Sequence, residues 1–219
     1  MLKADLHIHT KYSMDCDTPL EKIITRCLEL GINCIAIADH DSVEGALKMQ
    51  DIAPFRLIVA EEILTPYGEI MGMFLKERVP SGISAEEAIS RIKAQGGLVG
   101  LPHPFDTFRG LRLNSTKLEE LVTQIDVIEV LNARSPFNSP AHKARTFAEK
   151  YDIAQSAGSD AHSPAEIGNA YVEMPEFEGR DDFLKALREG KICGHRSNPL
   201  AHFSSIWARI KSNLTGSSE

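Results

Sequence analysis

The sequence has few of the features that would fix its class at once. Only four cysteines occur in 219 residues, at 16, 27, 34 and 193, and none form C-x-x-C. That excludes a disulfide-stapled miniprotein, a zinc ribbon and a thioredoxin-like motif, and leaves free thiols suited to a reducing cytosol. Cys27 and Cys34 lie in apolar runs and read as small buried hydrophobes. Cys16, beside ionisable residues, reads as exposed and oxidisable. No apolar run approaches the roughly 18–20 residues of a membrane span. The first ten residues, MLKADLHIHT, turn polar within five and make no secretory signal. Positive charge is in deficit: 24 Lys and Arg against 31 Asp and Glu give a net charge of −7. A long polyanion bound through bulk charge is therefore not expected as partner. Neither G-x-G-x-x-G nor a Gly-rich P-loop occurs, which removes the usual nucleotide fingerprints. No internal repeat appears, and the low-complexity content is confined to a tail over 215–219, expected to be disordered.

What is present is an ordinary globular balance, 42% hydrophobic and 25% charged, long enough for a sizeable core. Strand-like runs alternate with helical patterns. The runs are Ala4–Ile8, Cys34–Ala38, Leu57–Leu64, Ile70–Leu75, Leu98–Leu101, Val127–Leu131, Ile153–Ala157 and Ala170–Met174. Between them, Thr18-Pro19-Leu20-Glu21 reads as a capped helix start with Thr18 as N-cap, running to a stop at Gly31. Helices are also expected from Ser42, from Ser84 to Gly96, over 116–124, over 139–151 and over 180–189. Pro66-Tyr67-Gly68 reads as a hairpin turn. The alternation argues a parallel sheet with helical crossovers, and six or seven units fit an α/β barrel better than a Rossmann sheet. A final amphipathic helix is expected over 200–214. Leu200, Phe203, Ile206, Trp207, Ile210 and Leu214 form one apolar face, for packing on the barrel or on a second copy of the chain in a homo-oligomer.

In a barrel, chemistry collects where strands end. Those ends carry His7, His9 and Asp15, then Asp39-His40-Asp41, Glu61-Glu62, Glu69, His103, and Asp160-Ala161-His162. A lone strand-end histidine is usually structural. Five of the eight histidines in such company are the ligand types that hold Zn, Mn and Fe. His7 and His9, two apart on a strand, share one face and can converge on one ion. Glu62 has two oxygens and can bridge two. The ligand supply exceeds one tetrahedral site, so two or three divalent ions are the natural count. Asp39 and Asp41 are expected to orient imidazoles or to be solvated loop carboxylates. Glu61 is expected in a salt bridge or in solvent, and Glu129 either at the site floor or in a structural pair. His142 reads as surface; His195 and His202 are possible mouth residues.

The ordered set His7-x-His9, Asp39-His40-Asp41, Glu62, His103-Pro104 and Asp160-x-His162 resembles the PHP (polymerase and histidinol phosphatase) superfamily over nearly the whole chain, from Asp5 to about His202. The resemblance implies a distorted, TIM-like (β/α)7 barrel over 1–199 and a trinuclear metal centre. It implies a first ion on His7, His9, Glu62 and Asp160, a second on Glu62, Glu69 and His103, and a third on Asp15, His40 and His162. Many relatives carry histidine where Glu69 stands, and the carboxylate makes the second site more oxygen-rich, favouring Mn or Fe over Zn. The activity expected is that of a cytoplasmic, metal-dependent phosphoesterase acting on a small phosphomonoester. A bridging hydroxide is the nucleophile, no side chain attacks, and Arg109, Arg134 and Arg196 are candidates to hold the phosphate. Two alternatives stand beside it: an exonuclease or oligoribonucleotide hydrolase, and a metal-binding accessory module without turnover. The span Lys76–Ser84 is too short for the helical insertion of nucleotide-phosphatase relatives.

Overall fold

The computed structural model describes residues 1–106 and 120–196. Among them nine strands alternate with five α-helices. The order is β1 (Leu2–Ile8), α1 (Leu20–Leu30), β2 (Cys34–Ile37), α2 (Glu44–Gln50), β3 (Arg56–Thr65), β4 (Gly68–Met73), α3 (Ala85–Ala94) and β5 (Leu98–Leu101). Then come β6 (Val127–Asn132), α4 (Asn138–Tyr151), β7 (Ala154–Gly158), β8 (Ala170–Met174), α5 (Arg180–Arg188) and β9 (Lys191–Gly194).

The sheet order is β7-β6-β5-β4-β3-β2-β1-β8-β9. β1, β2 and β3 run parallel, as do β5, β6 and β7. β4 is antiparallel to both neighbours, because only a two-residue turn joins it to β3. The segment that follows β7 meets β1. Asp160 N–H donates to the His7 carbonyl at 2.7 Å, and His9 N–H to the Ala161 carbonyl at 3.0 Å. Ile8 and Ala161 form a parallel bridge. Seven strands thus make a nearly closed barrel, as expected, with β8 and β9 branching antiparallel from β1.

Strand alternation divides the core in two. Ile35, Ile37, Val59, Ile63, Val99 and Ile128 face outward against Ile23, Cys27, Met49, Ile89, Ile92 and Ala148 of the first four helices. Leu6, Ala36, Ala60, Met71, Met73 and Val127 fill the opposite side, joined by Phe183 and Leu187 of α5.

The helix ends show which local signals held. Gly31 takes the left-handed conformation, φ 66°, and closes α1. The Ser84 hydroxyl accepts the Glu87 N–H at 3.2 Å and caps α3. Thr18 is not a cap: its hydroxyl donates to the His162 carbonyl at 3.0 Å, across the barrel mouth, and α1 begins at Leu20 behind Pro19. The strand β9, a short and partly exposed edge, has no alternating pattern and was not expected. Of the helix expected over 116–124, residues 116–119 lie outside the described residues; 120–121 are helical and Val122–Gln124 is a 3-10 turn. The helix expected over 200–214, its apolar face and the 215–219 tail lie outside them altogether. No helix among the described residues is long and apolar enough to cross a membrane.

Candidate metal centre

The C-terminal ends of the parallel strands gather at one mouth of the barrel. His7 ends β1, His40 follows β2, Glu62 lies in β3, Glu69 opens β4, His103 follows β5, and Asp160 and His162 follow β7. Three non-glycine residues at these ends hold left-handed backbone: Asp41 (φ 57°), His103 (φ 28°) and Asp160 (φ 53°). Such conformations cost energy and persist only where surrounding contacts enforce them. Here hydrogen bonds do so. Asp160 N–H is tied to His7, and His103 N–H donates to Glu129 Oε2 at 2.8 Å.

The buried side chains then converge. His7 Nε2 lies 3.1 Å from His9 Nε2 and 3.2 Å from Glu62 Oε2. His9 Nε2 lies 3.4 Å from Glu62 Oε2 and 3.3 Å from Asp160 Oδ1, and His7 Nε2 is 3.9 Å from the same Asp160 oxygen. The other oxygen of Glu62 is 2.8 Å from His103 Nε2, which is itself 3.5 Å from Glu69 Oε2. On the far side, Asp15 Oδ2 is 3.1 Å from His162 Nε2 and 3.5 Å from His40 Nε2. Three groups have ligand atoms mutually within 4.8 Å: His7, His9 and Glu62; His40, Glu62 and Glu69; and His9, Asp15, His40 and His162. All nine residues expected as ligands meet in this one cluster.

Two features of the cluster fit divalent cations. Bonds of about 2.0–2.2 Å place neighbouring ligand atoms on one ion about 3.0–3.5 Å apart, and most of the separations above have that length. The second feature is a mismatch of lone pairs. His162 Nδ1 donates to the Asp160 carbonyl at 2.9 Å, so in the neutral ring Nε2 is a bare acceptor. Burial and the charge of His9 hold this ring down at about 4, so it is neutral near pH 7. Its Nε2 nevertheless faces the Asp15 carboxylate, which also only accepts. A cation between them resolves the conflict.

The other titrations report the same negative field. Burial alone would lower His40, but Glu62, Asp15 and Glu69 raise it to about 10. His7, although desolvated, is raised well above the ordinary imidazole range by Glu62, Glu129 and Asp160. Glu62 is held well below the carboxylate range, against its own burial, by His7, His40 and His103. The carboxylates draw protons onto the imidazoles that an ion would displace.

A model of a PHP-associated region matches residues 138–192. An uncharacterized protein of Methanocaldococcus jannaschii is 39% identical over an alignment 200 residues long that covers 85% of this chain and 79% of that protein. A two-domain Bacteroides vulgatus protein containing a predicted PHP-like metal-dependent phosphoesterase superposes with a TM-score of 0.74 at 17% identity, over 94% of this chain and 69% of that one. The chain belongs to the PHP superfamily. An amidohydrolase from Chromobacterium violaceum, bearing sulfate and no metal, superposes on this fold with a TM-score of 0.62 at 16% identity, over 75% of this chain and 89% of its own.

Around the PHP ligand cluster, other residues take roles that the sequence pattern did not assign. Glu129 Oε1 lies 3.2 Å from His7 Nδ1, so of the two expectations the structure places it at the site floor. Asn132 links Glu129 to Asp160. Asp5 accepts the Ser159 and Gly168 N–H groups at 2.8 and 2.9 Å and anchors the loop carrying Asp160 and His162; its burial raises it to about 6. Glu166 accepts the His162 N–H at 3.1 Å. Only their buried positions mark these residues, and burial is not visible in a single sequence.

Several expectations are corrected. Asp39 bonds no imidazole; it accepts the Thr10 N–H and hydroxyl, each at 2.6 Å. Asp41 instead accepts Arg78 Nε at 3.1 Å and the Ser81 N–H at 3.2 Å. Glu61, on the face of β3 opposite Glu62, is buried and accepts the Val79 N–H at 2.7 Å, rather than pairing or reaching solvent. Cys16 is buried at 3% exposure, its thiol donating to the His162 carbonyl, so it is not exposed. Burial pushes that thiol to about 12.

Of the arginines, Arg134 is buried, with Nε 3.6 Å from Glu166 Oε1. Arg196 lines a recess with His103, Asn132, Ser135 and Phe137, and its Nη1 donates to the Pro136 carbonyl at 3.4 Å. Arg109 and His202 lie outside the described residues. His142 is exposed on α4, as expected, and His195 is exposed beside Arg196.

Proposed function

We propose that the chain is a metal-dependent hydrolase, and specifically a phosphoesterase for small phosphomonoesters. The observation that carries this reading is the convergence of His7 Nε2, His9 Nε2, Glu62 Oε2 and Asp160 Oδ1 at separations of 3.1–3.9 Å. Two or three divalent ions are proposed, held by His7, His9, Glu62 and Asp160, by Glu62, Glu69 and His103, and by Asp15, His40 and His162. Bound there, such ions lower the pKa of coordinated water, polarise a phosphoryl oxygen and stabilise a leaving oxygen. The protein's own residues do the rest. Glu129 holds the His7 ring, and Asn132 holds Glu129 and Asp160. Arg196, in the recess that reaches His103, supplies positive charge for the substrate phosphate. Arg134 joins it only on leaving Glu166, and Arg109 is a third candidate. The net charge of −7 supports a small substrate over long nucleic acid. A cytoplasmic setting is supported by the unpaired cysteines.

One comparison favours a second reading, hydrolysis of an amide, since the same fold carries an amidohydrolase. Metal-reconstituted protein assayed against nucleotides, sugar phosphates, histidinol phosphate, short RNA and simple amides separates the readings. Phosphate release from a monoester supports the first. Cleavage of RNA or amides alone, or of nothing, replaces it.

A further inference from the structure

Asn132 ends β6 and is 4% exposed. Its Nδ2 donates to two carboxylates at once, Glu129 Oε2 at 2.9 Å and Asp160 Oδ2 at 3.2 Å. Its Oδ1 accepts the backbone N–H of Arg134 at 2.9 Å. A peptide N–H can only donate, so this contact fixes the orientation of the amide. Its oxygen faces Arg134, and its two hydrogens face the carboxylates. Two ionised carboxylates that share a buried site repel each other. A neutral group with two donors bridges them without adding charge, and among uncharged side chains only Asn and Gln have an NH₂.

The bridge acts on three neighbours in the cluster. It holds Asp160 by Oδ2, while Oδ1 lies 3.3 Å from His9 Nε2. Through Glu129 it reaches His7 Nδ1, at 3.2 Å from Oε1, and the His103 N–H, at 2.8 Å from Oε2. A carboxylate on Nδ1 keeps the proton there and turns the Nε2 lone pair toward Glu62 and His9. Asp15 and His40 are held by other contacts, Ser13 Oγ to Asp15 and His40 N–H to Ser13 Oγ, whereas His162 Nδ1 leans on Asp160 itself, 2.9 Å from its carbonyl and 3.6 Å from Oδ1.

We propose that Asn132 is a positioning residue that sets the geometry of the His7, His9, Glu62 and Asp160 group. The inference rests on the reading that this centre holds divalent ions. It concerns a residue that acts on the candidate ligands through Glu129 and Asp160.

The test is a Mn²⁺ titration of the full chain, stripped with chelator, by isothermal calorimetry. Thermal melts of the metal-free protein accompany it. Asn132→Leu removes both donors at similar volume. It should weaken Mn²⁺ binding about 10–100-fold, the usual effect of losing a partner of a metal ligand. Asn132→Asp matches the native shape but sets a third carboxylate against two, and should weaken Mn²⁺ binding further. Wild-type affinity and stoichiometry in either folded variant overturns the proposal. A lowered metal-free melting temperature with unchanged Mn²⁺ affinity assigns Asn132 to folding alone and also overturns it. If both variants fail to fold, the wild-type chain decides. The Asn132 side-chain NH₂ resonances should shift on adding Zn²⁺, and resonances that do not respond reject the role. A wild-type chain that takes up no Mn²⁺ defeats the metal reading itself, a result distinct from the others.

Discussion

Glu129 Oε1 sits 3.2 Å from Nδ1 of His7, on the edge of the ring away from the Nε2 contact with Glu62. The carboxylate thereby fixes which nitrogen carries the proton and which faces the other ligands. Glu129→Gln keeps the volume but puts an amide where a carboxylate accepted three contacts. Divalent metal affinity is expected to fall about 10–100-fold with the fold retained. Equilibrium dialysis against Mn²⁺ checks this, and an unchanged dissociation constant would remove Glu129 from the centre.

Gly158 precedes the Asp160 loop because nothing larger fits. A Cβ built there would lie 2.2 Å from His7 Cβ and 2.9 Å from Glu129 Oε1. Relief would push β7 away from β1 at the seam that closes the barrel. Gly158→Ala should therefore lower both the melting temperature and metal affinity. Calorimetry and metal analysis on the purified variant would expose an error if both stayed at wild-type values.

Arg196 tests phosphate capture. A guanidinium fork grips two phosphate oxygens, whereas an ammonium is a point charge, so Arg196→Lys should be harmful although charge is kept. Hydrogen bonds to charged groups are worth roughly 1.5–3 kcal/mol, so catalytic efficiency on a phosphomonoester should drop about 10- to 150-fold. Metal content should not change. Wild-type kinetics would shift the role to Arg109, to Arg134 or to the ions.

The thiols differ in reactivity for a structural reason. Burial pushes Cys16, Cys27 and Cys34 up to about 12, so none is thiolate at pH 8. Cys193 lies on β9 and is partly exposed. Iodoacetamide at pH 8 should label Cys193 in the native protein and all four after denaturation, as read by peptide mass mapping. Native labelling at Cys16 would contradict the burial described.

Glu61 makes stability depend on pH. Its burial, with a smaller push from Asp41, raises it from the ordinary 4.5 to about 7. Folding thus favours the protonated form. The stabilisation is full below about pH 4.5 and lost as pH rises towards 7. Glu61→Gln keeps an oxygen for the Val79 N–H and cannot ionise. Its advantage in melting temperature over wild type should be larger at pH 8 than at pH 5. Equal shifts at both would reject the assignment.

Much of this was legible in the sequence, for identifiable reasons. The barrel could be read because short apolar strands and amphipathic helices differ in period, and Gly31 and Ser84 are unambiguous stops and caps. The nine candidate ligands could be read because they lie in or near strand ends and in the order of the PHP set. What could not be read was choice of partner. Thr18 has the form of a cap, but the barrel brings the His162 carbonyl within its reach. Asp39 and Asp41 flank a candidate ligand, yet strand alternation and a left-handed backbone turn them to Thr10 and Arg78. Glu129 and Asn132 lie in an ordinary-looking strand, and their roles arise only when β6 stands between β5 and β7.

The seam between β1 and β7 also governs when the site comes into being. His7 meets Glu129 across 122 positions of chain, and Ser159 meets Asp5 across 154. Contacts so remote in sequence form late, after the loop-closure entropy has been overcome. An ion would therefore find no template in a partly folded chain. Bound there, it would clasp a ring already closed, and would act as a lock on unfolding rather than as a seed for folding.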